Sequence, residues 1–221
     1  MLNAQNKFSA FLYRFRGSIL GAIAVALVCA PPSVFSKDFC LNKFYINDCF
    51  DNCVGGILIA IFLYVVSAFL RVQTRRFIGE HTRGKVHAAD TLVTYGPYSR
   101  VRHPLYISNT GFALGLAFFH LGISHWIIPF MLVVVAFEIA LSRIEDRFLE
   151  KKFGDVWRAW ALKTPAFFPR WNVASASSRG SCVILSQRTF WQAFLADSSS
   201  WLWLLFCNLL LVLRKVAVFY V

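Results

Sequence analysis

Several polar and aromatic side chains that could bind a small ligand are concentrated between residues 90 and 170 of a strongly apolar chain. Arg102 and His103 stand directly before Pro104, a residue that favours the first position of a helix. Helix N-termini attract anions through their free N–H groups and their dipole. This spacing therefore predicts a site at which Arg102, His103 and the helix terminus bind a carboxylate or another anion.

An acidic pair, Glu145-Asp146, lies downstream of these basic residues. A ligand ammonium group could pair with Glu145. The rings of Tyr98 and Tyr106 could hold a sulfonium or an adenine by cation–π or stacking contacts. Each residue by itself is equally compatible with an ordinary role, either as an orienting charge or as an interfacial anchor. The combination is more specific, and it fits a zwitterionic ligand that carries a second positive charge.

Glu138 is a separate signal, because it lies within an apolar run seven residues before Glu145. This interval puts the two carboxylates on one face of a helix. A carboxylate inside a membrane span usually faces a polar cavity or a partner of opposite charge. Glu138 is therefore either part of the site, or a member of an ion pair or a residue near the membrane interface.

The elements that must position these residues are long apolar segments. Hydrophobic residues make up 57% of the 221 residues, compared with about 45–50% in soluble domains. Four runs, near 18–35, 54–70, 104–121 and 123–142, have the length that crosses a hydrocarbon core, and such segments must be helical. We predict an all-α, polytopic bundle of about four to five transmembrane helices.

The first and last apolar segments allow more than one interpretation. The first follows several basic residues and could be a signal peptide, although its length favours a retained span. The last, 190–221, is interrupted by Asp197 and by Arg214-Lys215. It could be a tilted span, a re-entrant segment or an interfacial helix.

The charge distribution predicts the orientation. The net charge of +12 comes from basic residues beside apolar runs, a pattern typical of membrane orientation and contact with membrane lipids rather than of nucleic-acid binding. The segments 71–103 and 143–188 are rich in Lys and Arg, whereas 36–53 is not. We therefore expect the N-terminus, both basic segments and the polar site to be cytoplasmic.

The cysteines predict no metal site, because they lack the paired spacing of zinc ligands. Cys40, Cys49 and Cys53 share the segment expected on the opposite side of the membrane. They could form a disulfide in an oxidising compartment or remain free thiols.

The runs 104–121 and 123–142 predict a helical hairpin. His103 and Arg143 each lie twenty residues from Ile123 in the connection. Antiparallel helices with equal rise per residue place such positions at equal depth. We therefore expect His103, Arg143 and Glu145 to meet at one membrane surface.

The motifs in this region have a definite order. They are Thr91-Leu92-Val93-Thr94, Gly96-Pro97-Tyr98, Arg102-His103-Pro104-Leu105-Tyr106, Glu145-Asp146, Phe153-Gly154-Asp155, Thr164-Pro165 and Pro169-Arg170. With them, the segment from Arg76 to Arg170 resembles the isoprenylcysteine carboxyl methyltransferases and their relatives, the phospholipid methyltransferases. The resemblance implies a polytopic membrane enzyme that uses S-adenosylmethionine and methylates a lipid-like substrate. It also implies a set of cofactor contacts: Asp90, Thr91, Leu92, Val93, Tyr98, His103, Pro104, Leu105, Tyr106 and Glu145.

The resemblance suggests three parts, which are a transmembrane hairpin at 1–70, a methyltransferase core at 71–172, and a linker with an apolar segment at 173–221. One departure concerns the substrate. Leu141 stands where the prenylcysteine enzymes carry an arginine for the substrate carboxylate, which argues against a prenylcysteine carboxylate.

The predicted function is methyl transfer from S-adenosylmethionine to a lipophilic small molecule or lipidated substrate, either isoprenylcysteine carboxylate-like or lipid-like. Arg102 or Arg143 would orient a carboxylate acceptor, whereas Glu138 or Glu145 would take a proton from an amine. The alternatives are an NADPH-dependent membrane reductase of sterol or fatty-acyl type and a non-catalytic membrane protein.

Overall fold

The computed structural model describes residues 2–29, 46–78, 91–169 and 188–219. Within these ranges the chain is helical and contains no strand, which confirms the predicted all-α class. The helices are α1 (Leu2–Cys29), α2 (Ile46–Phe77), α3 (Pro104–Leu121), α4 (Ile127–Phe153), α5 (Asp155–Lys163), α6 (Phe190–Ala196) and α7 (Ser198–Phe219), and a 3₁₀ turn covers Gly96–Ser99. Asp90, Cys40 and the side chains of Cys49, Cys53, Arg214 and Lys215 lie outside the described part.

Long apolar helices confirm the membrane class. Among the described residues, Ala10–Cys29, Val54–Phe77 and Ile127–Phe153 are long and apolar enough to span a bilayer. Helices α6 and α7, which are broken at Asp197, would together form a fourth span. Helix α3 has the predicted bounds but is not among these candidates, because its polar residues lower its hydropathy. The described residues therefore hold three or four candidate spans, which overlaps the predicted four to five at four.

The chain divides into two compact units. Unit 1 comprises Met1–Arg16, Ala68–Ser108 and Phe137–Asp197, and unit 2 comprises Gly17–Ser67, Asn109–Ala136 and Ser198–Val221. Unit 1 holds the described polar motifs, while unit 2 is mainly apolar. The residues expected to carry chemistry therefore belong to one unit.

Unit 2 has a hydrophobic core and one close backbone contact. Its buried core residues are Leu27, Val28, Leu116, Ala117, Leu121, Ile127, Cys207 and Leu211. A Cβ placed on Gly56 would lie 2.6 Å from the Cα of Gly122, so only glycine permits this approach. Gly122 has a φ of +64° and ends α3 by donating to the Phe118 carbonyl at 2.9 Å. These glycines hold α2 against the turn between α3 and α4.

In unit 1, the 3₁₀ turn that carries Tyr98 depends on Gly96. Gly96 has a φ of +64°, a conformation that L-residues rarely adopt. A Cβ at this position would also lie 2.7 Å from the Phe77 ring at the end of α2. Pro97 follows at the start of the turn, and the Ser99 hydroxyl donates to the Gly96 carbonyl at 2.7 Å. The Gly-Pro motif therefore fixes the position of Tyr98.

Candidate functional site

The centre of the polar cluster in unit 1 is the Asp146 carboxylate on α4. Its Oδ1 lies 3.0 Å from His103 Nε2, and its Oδ2 lies 3.0 Å from Arg102 Nη1. A carboxylate oxygen accepts, so both basic side chains donate to it. His103 is only 4% exposed, whereas the Arg102 and Asp146 side chains are about one-fifth exposed. One carboxylate therefore orients both residues that precede α3.

The Thr-Pro motif after α5 holds the backbone of the same segment. The Arg102 N–H donates to the Pro165 carbonyl at 2.8 Å, and the His103 N–H donates to the Ala166 carbonyl at 3.1 Å. The His103 ring lies between two aromatic neighbours, with centroid distances of 5.4 Å to Tyr106 and 5.8 Å to Phe167. Two motifs that are distant in sequence therefore position one imidazole.

Glu145 lies in a group of tyrosines. The Tyr106 hydroxyl is hydrogen-bonded to the Glu145 carboxylate, and the Glu145 charge also acts on Tyr13 and Tyr98. Burial, followed by the Glu145 charge, raises the pKa of Tyr98 well above its ordinary value. The Tyr98 hydroxyl therefore stays protonated and remains a hydrogen-bond donor. A carboxylate among aromatic rings suits a cation, because ring faces and carboxylates both attract positive charge.

Arg102 and Trp157 carry donors that could serve a ligand. The Arg102 guanidinium lies 5.6 Å from the centroid of the Trp157 ring. Arg102 Nε and Trp157 Nε1 are both buried, and neither has a hydrogen-bond partner within the described ranges. Buried donors are nearly always satisfied, by protein, water or ligand. Together with the start of α3, they fit a ligand carboxylate or other acceptor.

A second charged cluster in unit 1 involves Glu138. The Nε atoms of Arg71 and Arg75 lie 2.7 Å and 3.0 Å from the same Asp197 oxygen. Asp197 and Glu138 are 2% and 1% exposed, and the Glu138 charge acts on Arg71. Glu138 is therefore a buried carboxylate whose charge acts on one arginine of this cluster.

The structure brings some predicted residues together and leaves others apart. Pro104 begins α3 and is buried, Leu105 is half-buried, and Thr91, Leu92 and Val93 lie in an irregular segment before the 3₁₀ turn. Leu141 is completely buried.

Arg143 is not part of the cluster; its side chain is exposed. Equal depth does not imply an equal face, because two residues along a helix turn the side chain by about 200°. Arg143 therefore faces away from the direction of Glu145.

Tyr13 and Arg16 on α1 were not predicted as site residues. Tyr13 is 8% exposed. The Arg16 guanidinium lies 4.0 Å from the centroid of the Tyr13 ring. The two residues are three positions apart, and side chains at this spacing are neighbours on a helix. This spacing could have predicted the contact between Tyr13 and Arg16. Nothing in the sequence linked them to Glu145.

The described residues contain no group of three or more His, Cys, Asp or Glu side chains that could hold a metal ion. The site is instead a set of organic hydrogen-bond donors, aromatic rings and carboxylates.

Residues 56–156 match the family model described as phospholipid methyltransferase, which belongs to the isoprenylcysteine carboxyl methyltransferase-like group. The resemblance expected from the motifs is therefore confirmed over these residues. No solved structure matches the chain.

Two curated relatives are similar to the chain. The cobalt-zinc-cadmium resistance protein CzcN of Cupriavidus metallidurans is 37% identical over 112 residues, covering 49% of this chain and 48% of the relative. The nickel-cobalt-cadmium resistance protein NccN of Alcaligenes xylosoxydans xylosoxydans is 37% identical over 90 residues, covering 39% of this chain and 40% of the relative. The matches therefore span half or less of the relatives' lengths.

Proposed function

We propose that this protein is an integral membrane methyltransferase that transfers the methyl group of S-adenosylmethionine to a lipophilic acceptor. The observation that carries the proposal is the meeting of the start of α3 with the C-terminal part of α4, where His103 contacts Asp146 and Tyr106 is hydrogen-bonded to Glu145. All four residues lie within the segment that matches the methyltransferase family.

The residues of the cluster fit S-adenosylmethionine group by group. Glu145 with the rings of Tyr98 and Tyr106 would hold a positively charged part of the cofactor. Arg102 Nε, which is a buried donor without a described partner, and the N-terminus of α3 would hold its carboxylate. Thr91, Leu92 and Val93, with Asp90 before them, would line the same pocket, as the family resemblance implies. When bound, the cofactor supplies an activated methyl group on sulfur.

The chain would then contribute mainly by positioning the two reactants, because the methyl group on sulfur is already activated. Asp146 holds His103 and Arg102 in fixed orientations through two contacts of 3.0 Å. Correct orientation of two reactants can contribute about 7–11 kcal/mol to catalysis. Aromatic rings around the His103 imidazole exclude water, which strengthens the electrostatic interactions in the site.

A lipid-like acceptor is supported better than a prenylcysteine carboxylate. Leu141 stands fully buried where the prenylcysteine enzymes carry an arginine, and Arg143 faces outward. Arg102 remains the residue proposed to orient a polar acceptor head group. We also propose that the site faces the cytoplasm, since the N-terminal residues and both basic segments belong to unit 1.

Ligand binding and methyl transfer test the proposal directly. Purified protein in lipid nanodiscs should be stabilised against heat by S-adenosylhomocysteine and not by NADPH. With methyl-labelled S-adenosylmethionine, label should enter a lipid fraction, and His103→Ala and Glu145→Gln should abolish this transfer. Glu150→Gln, an exposed substitution on the same helix, is the control and should retain it. Stabilisation by NADPH alone would favour a membrane reductase and overturn the proposal.

The names of the relatives suggest a physiological role. We propose that methyl transfer by this chain contributes to resistance against divalent metal ions. Expression in a metal-sensitive bacterium should raise the tolerated concentration of cobalt, zinc or cadmium, and His103→Ala should remove the gain. An equal gain from both proteins would contradict a role for methyl transfer.

A further inference from the structure

We propose that residues 162–168, which are the end of α5 and the turn that follows it, bind the headgroup layer of an anionic membrane and thereby order the start of α3. This docking segment follows the part of the chain, 56–156, that matches the family. Its effect on the ligand site rests on the proposed function, whereas its contact with lipid can be tested without that function. The activity of the site would then depend on the charge of the surrounding lipid.

The docking segment presents large apolar side chains outward. Leu162 is 83% exposed and Phe168 is 86% exposed. Lys163, which follows Leu162, is exposed as well. Exposed leucine and phenylalanine beside a basic residue are typical of segments in a membrane interface, because the apolar groups enter the acyl boundary while the charge stays among the headgroups. A positive charge at this depth favours anionic lipids.

Backbone hydrogen bonds join the docking segment to the residues that precede α3. The Arg102 N–H donates to the Pro165 carbonyl at 2.8 Å, and the His103 N–H donates to the Ala166 carbonyl at 3.1 Å. Both acceptors belong to the docking segment. A contact that holds this segment therefore also holds Arg102 and His103.

These hydrogen bonds also place the docking segment at the edge of the apolar part of the chain. Pro104 begins the apolar helix α3 directly after His103. The His103 ring contacts Asp146, which lies about one helical turn beyond the apolar run 123–142 of α4. Lipid headgroups surround this level when the apolar helices span a bilayer. A lipid surface is therefore the partner that the position of Leu162 and Phe168 favours.

The inner side of the same region packs against the candidate site. Thr164 and Trp157 are buried, with 3% and 8% exposure. The Trp157 ring centroid lies 5.6 Å from the Arg102 guanidinium, and the Phe167 ring lies 5.8 Å from the His103 ring. One short stretch of chain thus carries both an outward apolar surface and contacts to the two basic residues of the site. Lipid bound on the outer side should therefore restrict the motion of Arg102 and His103.

A photoreactive lipid tests the contact with the membrane. The full chain is placed in nanodiscs with phosphatidylglycerol or phosphatidylcholine that carries a diazirine near the headgroup, and labelled residues are identified by mass spectrometry. The phosphatidylglycerol probe should label 162–168 more strongly, and Leu162→Glu should remove most of this label, because it adds an acid to the apolar surface. Leu162→Met keeps an apolar side chain and is the matched control. No label in this segment, or equal labelling by both probes, would overturn the binding of anionic lipid.

Ligand affinity tests the effect on the site. The dissociation constant of S-adenosylhomocysteine is measured by calorimetry in phosphatidylcholine nanodiscs with and without phosphatidylglycerol. Phosphatidylglycerol should strengthen binding about fivefold, the effect of one basic residue near an anionic surface. Lys163→Gln should remove most of this gain, and it decides the matter if Leu162→Glu does not fold. Lys152→Gln, at an exposed position near the end of α4, is the control and should keep the gain.

The two measurements separate the possible failures. Equal affinity in both membranes would overturn the effect of the docking segment on the site. Failure of the unmodified protein to bind S-adenosylhomocysteine in either membrane would instead overturn the proposed function, and the labelling experiment would still decide whether the segment binds lipid.

Discussion

The contact between Asp146 and its two basic partners allows a quantitative test. In Asp146→Asn the side chain keeps its shape but loses its charge and one of its two acceptors, so either Arg102 or His103 must face an NH₂ group. Hydrogen bonds that involve charged groups contribute about 1.5–3 kcal/mol each, compared with about 0.5–1.5 kcal/mol for neutral ones. Because Arg102 and Asp146 are 18% and 19% exposed, solvent screening reduces these values. A net loss of about 2 kcal/mol is expected.

A loss of this size should be visible in two assays. For a chain of this length, about 2 kcal/mol corresponds to a fall in the unfolding temperature of about 4–8 °C, measured in detergent. If the same contacts orient the ligand site, affinity for S-adenosylhomocysteine should fall by about tenfold or more. Glu150→Gln is the matched control, because the Glu150–Arg158 pair is largely exposed, with side-chain exposures of 39% and 61%. Asp146→Asn with unchanged stability and affinity would refute the assigned role of this carboxylate.

Three further substitutions follow from the same structure. Gly96→Ala should lower the unfolding temperature, because an alanine is strained at a φ of +64° and its Cβ would lie 2.7 Å from the Phe77 ring. Gly17→Ala is the control: nothing lies within 4 Å of its added Cβ, so the unfolding temperature should stay the same or rise. Equal unfolding temperatures of the two variants would contradict the geometry of the turn at Gly96. Asp197→Asn removes the carboxylate that Arg71 and Arg75 share and should destabilise by about 3–5 kcal/mol. Asp155→Asn, at a side chain that is 97% exposed, should not, and similar yields of folded protein from both would contradict this role of Asp197. Arg143→Gln should leave the rate of methyl transfer unchanged, because Arg143 is exposed. A loss of activity greater than tenfold would show that Arg143 does act in the site.

The sequence alone determined the all-helical membrane class of the protein and the rough location of its polar cluster. Apolar runs of membrane length require helices, because a bilayer offers the backbone no other hydrogen-bond partner. The bounds of α3, from Pro104 to Leu121, were predicted from a helix-starting proline and the extent of the apolar run. Counting residues from the hairpin connection predicted that His103, Arg143 and Glu145 lie at one depth, since every helical residue rises by the same amount.

Only the tertiary structure decided which side chains meet. Residue counting gives the depth of a position along a helix, but the direction in which it faces depends on how neighbouring helices are rotated and packed. For this reason Asp146 rather than Glu145 contacts His103, and Arg143 at the same depth lies outside the cluster. The same applies to contacts between distant segments, such as Asp197 with Arg71. No local pattern encodes such pairs, because their energy comes from burial and charge balance that exist only after the segments have packed.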